Sequence, residues 1–119
     1  MGLHSDLPIH KVAYDLFDTA VGLVRNMPRD VKSVIGGEIR DGCLKALVLI
    51  FRANVDRTDK GRHLAELIER AQEIELLLRL SRDKHWISTK QYAAAILLTT
   101  SIGKQASGWK KKFESAPAA

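Results

Sequence analysis

Cys43 is the only cysteine in this 119-residue chain, so no disulfide framework can form within it. That usage fits a reducing compartment. The thiol falls among Leu44, Ala46 and Leu47 with no histidine or carboxylate at a telling spacing, so it reads as a small buried hydrophobe. Long apolar runs are missing too. Runs such as Ala46 to Phe51 are far too short to cross a bilayer. The N-terminal Met1-Gly2-Leu3-His4-Ser5-Asp6 lacks the basic and apolar regions of a secretion signal, and Asp6 breaks a myristoylation pattern. A cytoplasmic location without membrane contact is expected. Alternating β-branched and aromatic residues between turns, the mark of strands, are absent as well.

The missing motifs exclude chemistry. A carboxylate-bridged metal bundle needs Glu-x-x-His pairs facing inward, and none is present. His4, His10, His63 and His85 are dispersed near helix starts or in a loop and read as solvated or capping residues. Gly36-Gly37 lies within a helical pattern and lacks the Lys-Ser/Thr that follows a phosphate-binding loop. Acids fall mostly on solvent faces beside basic partners. No catalytic residue, metal ligand or cofactor is therefore assigned.

Helical periodicity organises what remains. The expected fold is all-α, one antiparallel up-down-up-down four-helix bundle over residues 1–119, with helices at about 8–26, 31–54, 60–84 and 89–113 and a flexible tail at 114–119. Pro8 opens the first helix, where its preset φ fits and no donor is needed, and Pro28 stops it. Its inward stripe is Val12, Leu16, Ala20, Leu23 and Met27. Asp30 is the expected N-cap of the second, whose apolar face is Val31, Ile35, Ile39, Cys43, Ala46, Ile50 and Ala53. Gly36, Gly37 and Gly42 weaken that helix and imply either a closely approaching neighbour or a kink.

Asp59 or Thr58 caps the third helix, which turns Leu64, Leu67, Ile68, Ala71, Ile74 and Leu78 inward. Glu66–Arg70 and Glu75–Arg79 are expected i,i+4 pairs. Leu76, Leu77 and Leu80 widen the stripe beyond one face, which asks for a second partner; with Trp109 they are the candidate oligomer interface. Ser88 and Gln91 form a capping box for the fourth helix. There Tyr92, Ile96, Thr99, Gly103, Ala106 and Lys110 share a face, next to Leu98, Ile102 and Trp109.

Charge carries the functional argument. The net charge is +5, and between Asp83 and Glu114 there is no acidic residue while Lys84, Lys90, Lys104, Lys110, Lys111 and Lys112 are basic. Surfaces ordinarily mix both signs, so a long one-sign helix points to a negative partner. Lys110-Lys111-Lys112 also complements the negative end of its helix dipole, which is the structural alternative. Arg52, Arg57, Lys60 and Arg62 form a second cluster, and in an up-down bundle both clusters share one end. Such a surface suits phosphate contact with little sequence preference. Trp109 and Phe113 are able to stack on bases but read first as buried against other helices.

A set of short motifs in order resembles the Avd family, the accessory variability determinant of diversity-generating retroelements. They are Leu7-Pro8-Ile9, Tyr14-Asp15-Leu16, Met27-Pro28-Arg29, Ile39-Arg40 and Ile50-Phe51-Arg52-Ala53-Asn54. The strongest are Leu76-Leu77-Leu78-Arg79-Leu80, Ile87-Ser88-Thr89-Lys90-Gln91-Tyr92, Ile102-Gly103-Lys104 and Ser107-Gly108-Trp109-Lys110. The resemblance implies a four-helix bundle assembled as a homopentamer with a basic, barrel-like surface. It also implies binding to nucleic acid and to a reverse transcriptase, with no catalysis of its own. By position, Arg79, Lys104 and Lys110 match the family's basic residues. Ser101 stands where an acid is common, and Ser107 replaces a glycine. The Asn-Ile-Ala-Glu-Gly sequence of the related ribosomal-RNA intervening-sequence proteins is absent, with Ala53-Asn54-Val55-Asp56 in that region. The competing reading is a structural oligomer with a protein partner only. A metal or small-molecule binder is disfavoured by the missing ligand motif.

Overall fold

A computed structural model describes residues 7–116. Its elements are α1 (Pro8–Arg25), α2 (Arg29–Val31), a π-helical turn (Lys32–Gly36), α3 (Gly37–Val55), α4 (Lys60–Asp83) and α5 (Thr89–Ser115). No strand occurs among the described residues. The short α2, the π turn and α3 follow one another without a break, so the long rods number four, as the periodicity predicts. α1 packs against α3 and α5, and α4 packs against the same two. This closed set of neighbours makes a rod-shaped helical bundle of 52 × 20 × 20 Å.

The core is a single aliphatic column. Leu16, Ala20, Leu23 and Met27 are buried as expected; Ile9, Ala13 and Val24 join them, while Val12 is half-buried. From α3 come Ile39, Cys43, Ala46, Leu49, Ile50 and Ala53, and from α4 Leu64, Leu67, Ala71, Ile74 and Leu78. The α5 stripe is Ala95, Thr99, Ile102 and Ala106, so Ile102 is inside while Tyr92, Ile96 and Lys110 are only half-buried. Complete burial of a Leu or Ile side chain is worth about 1.5–3 kcal/mol, which makes this column the main source of stability.

Two of the three glycines in the second rod have a packing reason. A Cβ on Gly36 would sit 2.5 Å from Val24 Cγ1, and one on Gly42 would sit 3.0 Å from Ile74 Cγ1. At Gly37 a Cβ would meet nothing within 4 Å. Close approach thus explains Gly36 and Gly42, and the irregularity lies in the π turn just before Gly37.

Several local expectations are corrected. The N-cap before the second rod is Pro28, whose carbonyl accepts from Val31 and Lys32. Asp30 is the second residue of α2, in the first turn, where a negative charge suits the positive end of the helix dipole. Asp59 is the cap of α4, but its side chain makes no cap bond. Arg70 pairs with Glu73 at 3.2 Å rather than with Glu66. Glu75 turns to α5, where its Oε2 accepts from Thr99 Oγ1 at 3.1 Å and Thr100 Oγ1 at 3.3 Å. Two hydroxyls at a part-buried junction outweigh an exposed i,i+4 pair worth only about 0.3–0.5 kcal/mol. α5 runs on through Glu114 and Ser115, two residues into the expected tail; positions 117–119, like His4 and the rest of 1–6, lie outside the described residues.

The α4–α5 turn is tightly specified. His85 takes a positive φ of 61°, the Trp86 N–H donates to Ser81 O at 2.8 Å, and the His85 N–H donates to Arg82 O at 3.0 Å. This is the pair of bonds that closes a helix with a left-handed residue, a place usually given to glycine. The Ser88–Gln91 capping box then opens α5, as expected, with bonds of 3.0 and 2.9 Å. Arg82 stacks on Tyr92 at 4.3 Å and ties the two helices across the turn.

Candidate functional site

The end of the bundle where α3 passes into α4 is built around Asp56. Its Oδ1 accepts from the Thr58 and Asp59 backbone N–H groups, both at 3.1 Å. Its Oδ2 lies 3.1 Å from His63 Nε2. The bond from Asp59 and then that from His63 hold the Asp56 carboxyl below its ordinary value. Asp56, Asp59 and His63 bring three ligand-type atoms within 4.8 Å of one another. Asp56 is already used within the loop, Asp59 pairs with Arg62 at 2.9 Å, and the basic Arg57 and Lys60 flank Asp56 and Asp59 in sequence. The chemistry of this donor set favours closing a loop over holding a cation.

Lys60 joins three elements. Its ammonium donates to the carbonyl of Ala53 on α3 and lies 5.2 Å from the Trp109 ring centroid and 6.0 Å from that of Phe113, both on α5. Burial is the chief reason its pKa is lowered; repulsion from Arg57 adds to this and attraction to Asp56 opposes it. The start of α4 and the end of α5 therefore meet, and Lys60, a candidate phosphate ligand by sequence, is engaged inside that junction. Trp109 is half-buried against the core beneath it, and Leu77 also packs against the core.

The other candidate residues divide by position. Arg57, Lys111 and Lys112 are exposed and make no ion pair with a described residue. Lys110 is half-buried and paired with Glu114 at 2.7 Å. Arg52 lines a groove between α3 and α4 with Lys45, Arg70 and Glu73. Arg79 stands roughly 28 Å along α4 from Lys60 at 1.5 Å per residue, so it is not part of this end. Lys104 is exposed in the middle of α5. Of the leucines proposed for an interface, Leu76 is 63% exposed and Leu80 is 36% exposed. Leu97, which periodicity had not singled out, is the most exposed large hydrophobic residue among the described residues at 72%. Lys90 is exposed on α5 as well; the one-sign charge run contained it, but only the fold shows which way it faces.

Cys43 is fully enclosed and burial pushes its thiol up to about 12, so it offers no nucleophile at neutral pH. No helix among the described residues is long and apolar enough to cross a membrane.

Comparison with curated proteins finds no match. A family model described as bAvd-like matches residues 7–113, a span that takes in all four rods and both basic clusters. The chain belongs to the bAvd-like family.

Proposed function

We propose that this protein is a non-enzymatic, self-associating accessory protein of the Avd type. It binds nucleic acid through the basic end of an up-down-up-down bundle, in the cytoplasm, and partners a retroelement reverse transcriptase. The observation that carries the reading is the charge pattern between Asp83 and Glu114, thirty residues without an acid that take in most of α5 and reach exposed Lys111 and Lys112 near its end. The Lys60–Trp109–Phe113 junction supports it by setting exposed Arg57 close to that end. Arg57, Lys111 and Lys112 are the foremost phosphate ligands, with Arg52, Arg62 and Lys110 at their edge. Flexible lysine and arginine side chains at a helix end suit backbone phosphates and carry no base code. A scaffold for a protein partner alone is the second reading, favoured by exposed Leu44 and Val55 on the outer face of α3.

Fluorescence anisotropy with a mixed-sequence RNA, an RNA/DNA hybrid and duplex DNA tests this, at two salt concentrations. The comparison chain carries Arg57→Glu, Lys111→Glu and Lys112→Glu. Salt-sensitive binding that is lost in the variant is expected. Absence of binding at low salt would leave the scaffold as the better account.

A further inference from the structure

The outer faces of α4 and α5 repeat in sevens. Opposite the buried stripe of α4 stand Glu69, Leu76 and Asp83, all exposed. Seven residues are just under two helical turns, so the three share one strip at intervals of about 10.5 Å. Opposite the buried stripe of α5 stand Lys90, Leu97 and Lys104 at the same interval, and Lys111 continues the row. One strip reads acid–leucine–acid and the other base–leucine–base. Their central residues are 63% and 72% exposed, though leucine gains by burial.

Next to Leu97 lies an open depression lined by Leu97, Thr100, Ser101, Lys104 and Gln105. The first four are i, i+3, i+4 and i+7 of one helix, the set that forms the hole for a knob from a facing helix. Small hydroxyl residues at its centre let a second helix come close.

We propose that these strips join two copies of the chain, α4 of one against α5 of the next, with Leu76 seated in the depression beside Leu97. The inference rests on the self-association in the reading above and names its two surfaces. With Leu76 in that hole, the acids one heptad either side fall within about 5.4 Å, one helical turn, of Lys90 at one end and of Lys104 at the other. This holds whichever direction the docked helix runs. Charge complementarity is what selects a second copy, since each chain carries both signs at matching spacing on neighbouring helices. The two faces differ, so the contact is heterologous. Each copy keeps one face free until a ring closes. Lys104 then serves assembly, and phosphate contact is left to the end of the bundle.

Sedimentation velocity on the full chain tests the proposal, with circular dichroism to confirm helicity. Leu76→Asp, and separately the pair Glu69→Lys with Asp83→Lys, should weaken association about 100-fold or more while leaving the helices intact. Adding Lys90→Glu and Lys104→Glu to the charge-swapped pair should restore the wild-type oligomer. A wild-type oligomer that ignores these swaps, or a four-fold variant that stays monomeric, would overturn the named interface and leave self-association standing. A wild-type chain that is monomeric at every concentration would remove self-association itself.

Discussion

Replacing Lys60 separates a structural role from a binding one. In the folded chain its ammonium donates to the Ala53 carbonyl and lies over the rings of Trp109 and Phe113. A partly desolvated cation over an aromatic face contributes about 0.5–2 kcal/mol. The hydrogen bond from a charged donor adds about 1.5–3 kcal/mol. Part of that sum is offset by the desolvation and by the Arg57 repulsion that together lower the Lys60 pKa. A net loss of about 2 kcal/mol is expected for Lys60→Ala, or roughly 6–10 °C in Tm for a domain of this size. Lys60→Met keeps the aliphatic stem on the rings and should recover part of it. Differential scanning fluorimetry and urea unfolding read the stability. The salt dependence of RNA binding reads the other role: a lysine that contacts phosphate contributes about one to that slope, and Lys60 should contribute none. An unchanged Tm together with a shallower salt slope would refute the junction and return Lys60 to the binding surface.

Gly36→Ala should destabilise by about 1–3 kcal/mol, because the new methyl overlaps Val24, while Gly37→Ala should stabilise by about 0.5–1 kcal/mol; chemical denaturation of the two single variants checks the contrast. His85→Gly should raise stability by about 0.5–1 kcal/mol, as relief of the left-handed backbone outweighs the added chain entropy. Asp56→Asn tests the loop charge. The folded pKa of Asp56 lies below its ordinary 3.8, so its charge contributes stability above that value, and the contribution is lost as pH falls through the folded pKa. Wild type should therefore melt above the variant at neutral pH and converge on it in acid, and parallel melts across pH 2–7 measure that window.

Much of the fold was legible because its signals are local. Pro8 and Pro28, the Ser88–Gln91 capping box and the 3.6-residue stripes set the starts of all four rods to within two residues. What was not legible depends on neighbours. Nothing in the sequence tells that Glu75 prefers two threonines some 24 residues on to the arginine one turn away. Nor does it tell that Lys60 lies over two rings rather than in solvent. The glycines of the second rod allowed both close approach and a kink, and the packing of Val24 and Ile74 decides the matter position by position. The acid–leucine–acid and base–leucine–base strips were present as spacing throughout. They become meaningful only when the core shows that α4 and α5 turn those residues outward.

The most direct test of the account is the salt dependence of RNA affinity for wild type beside Lys111→Glu, Lys112→Glu. The logarithm of the association constant should fall steeply with the logarithm of salt for wild type, by about 0.7 per single-strand phosphate contacted. The variant should show a slope smaller by about 1.4, two contacts at that value, and weaker binding to every sequence alike. Equal slopes and equal affinities in the two chains would contradict the basic end of the bundle as the nucleic-acid surface.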